Sequence, residues 1–321
     1  MASMSAEMSL ERKSIPLLDW LSRTGRNINR GMAAWIARLR AGRSGTERRG
    51  PTASEPVFNA RRGVWEFETR SEYLWGKNLT AVLLPDDFDR SRKYPVVYLL
   101  PVEEGSETQY GDSIALARGM DAHNRYGAIF AAPTFDTLPW YGSHATNPLI
   151  RHDEYMVRDL VPMIEQRWPT TGTAEGRLLI GFSKSGCGAF TLMARHPEVF
   201  GYAASWDAPL MLGPEGYGCF STDRHFGTRE QFSRYLVPGL LRANAAEFTG
   251  RTRLVVAGAN LFGDWPKGHY AGVNHTAEAH VYMEGLGIRH SYLGDVYAEH
   301  AWNEIWMRPV LDALLELARE Q

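Results

Sequence analysis

Cysteine is nearly absent: the chain has 321 residues and only two cysteines, Cys187 and Cys219. Two thiols cannot build a disulfide framework, and these two fit no zinc-ligand spacing. No apolar run approaches the roughly 18–20 residues that a membrane-crossing helix needs. The opening MASMSAEMSL lacks the apolar stretch of a secretory signal, so the expected location is cytoplasmic. A charge excess is missing as well. With 35 basic and 37 acidic residues the formal net charge is −2, which excludes the strongly basic class that binds nucleic acid. There is no internal repeat.

What is present is ordinary for a globular protein: 44% apolar and 22% charged residues. The length allows one large core or two modest ones. Charge is unevenly spread, because residues 1–55 hold ten Arg or Lys against five acids. Leu21, Ile28, Met32, Trp35, Ile36 and Leu39 recur there at helical spacing, with arginines between them. Such a basic amphipathic arm is expected to pack on its own domain, with a partner or a membrane surface as the alternatives. AGRSGTERRGPTASEP, from Ala41 to Pro56, has the composition of a flexible linker. The expected organisation is therefore an arm and linker over 1–55 and one domain over 56–321.

From Val64 onward short apolar runs alternate with longer periodic ones. VWEFET, NLTAVLL, VVYLL, AIFAAP, RLLIGF, YAASW, RLVVAGA and SYLGDVY read as strands. Several are apolar throughout, as strands are when both faces of their sheet are covered. Between and after them, EYMVRDLVPMIEQRW, GCGAFTLMARH and WNEIWMRPVLDALLELARE carry helical periodicity, with Pro162 expected to kink the first. The alternation predicts an α/β fold, a mostly parallel sheet with helices on both faces.

The stretch RLLIGFSKSGCGAF ends a buried strand on two serines and a lysine. A serine hydroxyl is a weak nucleophile that needs exposure and an adjacent base. A sharp strand-to-helix turn lifts the residue out of the sheet, and small neighbours let the backbone make that turn. Gly181 stands two residues before Ser183, as in G-x-S-x-G, while Ser185 replaces the second glycine. Ser183 is thus the candidate nucleophile. The helix starting there aims its positive end at the turn, with the Lys184 N–H as an oxyanion donor. In this chain order the base and acid follow the serine. Among ten histidines, His300 alone lies just after the last strand and before the last helix. For the acid, Asp264 lies past the strand RLVVAGA and Asp207 past YAASW; Asp264 is favoured and Asp207 is its competitor. His269, His275 and His280 cluster loosely but form no ligand motif, and no metal or organic cofactor is expected.

Several motifs together resemble one family. NLTAVLLPDDFDRSRKYPVVYLL, WYGSHATNP with EYMVRDLVPMIEQRWPT, the Ser183 stretch through YAASW, and HAWNEIW are similar to the esterase D-like branch of the α/β-hydrolases. That branch includes S-formylglutathione hydrolases, feruloyl esterases, enterochelin esterases and mycolyltransferases. The resemblance runs from about Trp65 to the C-terminus. It implies an α/β-hydrolase fold, a serine esterase acting on a small-molecule ester, Ser183 as nucleophile, His300 as base and Asp264 as acid. One departure is clear. Where the family has His-Gly after the buried strand, this chain has Pro101-Val102, and proline has no N–H. Val102 or Glu103 is then the expected second backbone donor, with the Glu103 and Glu104 side chains facing solvent. Trp140 and Tyr141, with Trp265, are expected either to form an aromatic wall at the substrate or to belong to the core, and residues 212–248 are expected to form a cap. Two alternatives use the same residues: an acyltransferase with an alcohol acceptor, and a non-catalytic binding protein that keeps the fold.

Overall fold

The computed structural model describes residues 50–105, 109–258 and 274–319. Of the arm and linker expected over residues 1–55, residues 1–49 lie outside the described residues. Residues 52–53, expected within the linker, instead form a short strand, so the folded domain begins before Pro56.

Among the described residues ten strands make one sheet: β1 (Thr52–Ala53), β2 (Val57–Asn59), β3 (Val64–Arg70), β4 (Asn78–Leu83), β5 (Val96–Leu99), β6 (Ile129–Pro133), β7 (Arg177–Phe182), β8 (Tyr202–Trp206), β9 (Leu254–Ala257) and β10 (His290–Leu293). Their order is β1-β3-β4-β6-β5-β7-β8-β9-β10, with β2 also on β3. The pairs up to β4–β6 are antiparallel, and every pair from β6 to β10 is parallel.

The apolar strands are apolar because both faces are covered. Along β5, Val96, Tyr98 and Leu100 enter one core, and Val97 and Leu99 enter the other. The first core is closed by the helices Val161–Arg167 and Ser183–Arg195, the second by Ser113–Gly119 and Glu304–Arg319. The last helix buries Trp306, Met307, Val310, Leu311, Leu314 and Leu315, a stripe at helical spacing. The expected disturbance at Pro162 takes the form of a π-helical stretch, Met156–Leu160, directly before it. No helix among the described residues is long and apolar enough to cross a membrane.

The strand order sets where a site can form. β5 lies between β6 and β7; the chain leaves β5 toward β6 and leaves β7 toward β8. At such a reversal the connections diverge on opposite faces and open a crevice beyond the strands' C-terminal ends. Segment 101–105 follows β5 there, and Ser183 follows β7.

Candidate active site

Ser183 has φ 51°, the left-handed region that a non-glycine residue adopts only where the surroundings hold it. Two features hold it. Gly181 leaves no room for a side chain, since a Cβ there would lie 2.3 Å from the Ser185 carbonyl oxygen. Ser185 is fully buried; its hydroxyl donates to the Phe182 carbonyl (2.9 Å) and accepts from the Phe182 N–H (3.1 Å). The residue that departs from the G-x-S-x-G pattern is therefore a brace across the turn. Lys184 stands in the first turn of the Ser183–Arg195 helix, where backbone N–H groups have no acceptor within the helix.

His300 packs against this turn. Its ring centroid is 5.2 Å from that of Phe182, the residue before Ser183, and 6.2 Å from that of Tyr110. The Trp306 indole N–H donates to the Ala301 carbonyl (2.7 Å), pinning the loop that carries His300. Trp306 also stacks on Trp206 with centroids 5.0 Å apart and planes 3° apart. HAWNEIW thus works as a brace for its first residue.

The carboxylate that meets His300 is Asp207. Its Oδ2 accepts from His300 Nδ1 at 2.8 Å, and the residue is 1% exposed. Asp207 follows β8 at φ 43°, and its N–H donates to the Ala257 carbonyl (2.9 Å). Gly258, at φ 116°, lets β9 pass this close, because a Cβ there would lie 2.8 Å from the Asp207 nitrogen. Asp264, the carboxylate favoured on sequence, lies outside the described residues, as do Trp265 and His269. What could have pointed to Asp207 was its place at the end of the strand adjoining β7, although Asp264 had a comparable place beyond β9.

Two other expectations change. Trp140 and Tyr141 do not form an exposed aromatic wall, being 5% and 0% exposed. Trp140 belongs to an apolar cluster with Leu212, Phe226, Phe232 and Tyr235, all four from the segment expected to cap the site. The Tyr141 hydroxyl donates to the Pro101 carbonyl (2.7 Å), and its ring fills the space left by Gly188. Both are anchors, because each ring is large enough to span from one loop to the next. Glu103 does not face solvent freely either: its carboxylate accepts from Lys184 Nζ at 3.0 Å. Val102, beside it, is 4% exposed.

Of the histidines expected to cluster loosely, His275 and His280 are described and each has its own partner. The His275 Nδ1 accepts from the Met211 N–H (3.1 Å), and burial pushes its pKa down to about 4 against a smaller opposing pull from Asp207. His280 pairs with His290 at 2.8 Å. Among the described residues one group has metal-like spacing: Asp86, Asp121 and His123. It sits where β4 ends and before β6 begins, at the opposite end of the sheet from Ser183. Its carboxylates are already bridged, because the Asn124 side-chain amide donates to Asp86 and to Asp121.

Residues 71–235 match the family described as "Putative esterase". An esterase of Mycobacterium tuberculosis, in strains H37Rv and CDC 1551, is 26% identical over 152 residues, which is 46% of this chain and 33% of that protein. The match therefore spans about a third of the curated relatives' length. An S-formylglutathione hydrolase from Agrobacterium tumefaciens superposes with a TM-score of 0.60 at 16% identity, covering 83% of this chain and 98% of the other. A ferulic acid esterase gives 0.56 at 16% identity, covering 84% and 99%. At such identities the structural likeness is one of fold, the α/β-hydrolase fold. Matched by the family over more than half its length, the chain belongs to the esterase family.

Proposed function

We propose that this chain hydrolyses a small-molecule carboxylic ester through an acyl-enzyme on Ser183, with His300 as base and Asp207 as acid. The observation that carries the reading is the 2.8 Å pair of buried Asp207 with half-buried His300, set against the strained turn at Ser183. With Nδ1 held by Asp207, Nε2 is the nitrogen assigned to exchange the proton with Ser183. Ser183 Oγ attacks the ester carbonyl while its proton passes to Nε2. The tetrahedral intermediate collapses, the C–O bond breaks, and the same proton goes to the leaving alcohol. Water then repeats the sequence on the acyl-enzyme and frees Ser183 and the acid product. The Lys184 N–H and the Val102 or Glu103 N–H receive the negative charge that develops on the carbonyl oxygen.

Labelling with a fluorophosphonate probe tests this. The wild type is expected to label and Ser183→Ala to stay unlabelled. Absence of label in the wild type, or undiminished label in the variant, would overturn the assignment. Products from short-chain, aromatic and thioester substrates, with and without an added alcohol, separate hydrolysis from acyl transfer.

A further inference from the structure

We infer that the Lys184–Glu103 ion pair is a positioning clamp that holds the two halves of the oxyanion site together, an inference that rests on the hydrolase reading above. β5 and β7 are tied as far as the hydrogen bond from the Leu100 N–H to the Ile180 carbonyl (2.9 Å). Beyond it the two chains part, so the sheet itself does not set the distance between segment 101–105 and the turn at Ser183. The ion pair bridges that opening from the residue next to the nucleophile, at 3.0 Å, with the side chains only 15% and 20% exposed.

The rest of the segment explains why the clamp matters here. Pro101 has no N–H to bind into a ladder, and its carbonyl takes the Tyr141 hydroxyl. At the far end the Gly105 N–H donates to the Phe135 carbonyl (2.6 Å). Between these anchors the Val102 side chain is buried, and Glu103 reaches Lys184. Three tethers thus orient the Val102 and Glu103 peptide groups; Tyr141 reaches the nucleophile's helix at Gly188, and the ion pair reaches it at the residue next to Ser183. Lys184 has two tasks: its N–H faces the oxyanion, and its ammonium draws in the segment that carries the partner donor. The ammonium also neutralises Glu103, whose bare carboxylate would repel an oxyanion in a site of low dielectric.

The two halves of the pair are therefore not equivalent. Lys184→Met leaves an unpaired carboxylate beside the oxyanion and is expected to lower kcat at least 100-fold with KM nearly unchanged. Glu103→Gln keeps the size and an acceptor and is expected to lower kcat about tenfold. The double variant is expected to be faster than Lys184→Met alone, since the repelling charge is gone, and Lys184→Arg to retain most activity. Rates are normalised to the fraction of enzyme that reacts with a fluorophosphonate, which removes losses from misfolding. If the wild type is labelled and active but both single variants keep kcat within twofold, the clamp is wrong and the hydrolase reading stands. If the wild type is never labelled, that reading falls first. A double variant no faster than Lys184→Met would also overturn the clamp.

Discussion

Asp207→Asn is the sharpest perturbation of the site. The substitution keeps the shape of a side chain that is 1% exposed and removes only its charge. In the proposed mechanism His300 takes the serine proton, and a full ion pair then forms across the 2.8 Å contact. At an effective dielectric of about 20 its gross Coulomb energy is ~6 kcal/mol. The His300 side chain is 28% exposed, so solvent screens part of this. A loss of about 4–5 kcal/mol from the transition state corresponds to roughly 10³–10⁴ in rate. The expected result is kcat lowered by that factor, KM little changed and the circular dichroism spectrum intact, measured on a chromogenic short-chain ester. Asp264→Asn in parallel is expected to stay within about threefold of wild type. If Asp207→Asn instead keeps a tenth or more of the activity while Asp264→Asn loses about 10³-fold, the acid is Asp264 and the structural pairing has misled.

Two further outcomes follow from other parts of the structure. Trp306→Phe removes the indole donor to Ala301 and part of the stack on Trp206. It should lower kcat roughly tenfold through a looser His300 and lower stability by about 1–2 kcal/mol, read as a fall in Tm; an unchanged kcat would remove Trp306 from any positioning role. Acid should destabilise the fold before it protonates ordinary carboxylates. Burial holds the His225 pKa down at about 3 and His275 at about 4, and pushes His152 well below its usual value. In the unfolded chain a histidine binds its proton near pH 6.5, so the unfolded state takes up more protons between that value and the folded pKa. Stability is complete above about pH 6.5 and declines toward pH 4, by on the order of 2 kcal/mol per buried histidine at pH 4.5. Urea midpoints at pH 7, 5.5 and 4.5 measure it. A flat profile would refute the reading, as would one that His225→Gln leaves equally steep.

The strands, the order of Ser183 before His300 and the small residues around the turn were legible because each is written locally. Two covered faces demand an all-apolar strand, and a turn at φ 51° demands Gly181 and compact neighbours. The opening residues of the domain misled for the same local reason: their composition is that of a linker, yet β1 is held by β3, whose sequence lies beyond it. For Trp140 and Tyr141 the sequence left a substrate wall and a core equally open, because aromatic side chains suit both and only their surroundings distinguish the two.

The sequence by itself thus determined the α/β architecture and the sharp turn at Ser183, since periodicity and backbone sterics act over a few residues. The tertiary structure alone decided which carboxylate meets His300 and what Glu103 does. Those partners stand 93 and 81 residues apart along the chain. Such contacts are set by the order in which β5, β7, β8 and β9 lie side by side, and by the crevice that opens where the chain reverses its direction of travel across the sheet.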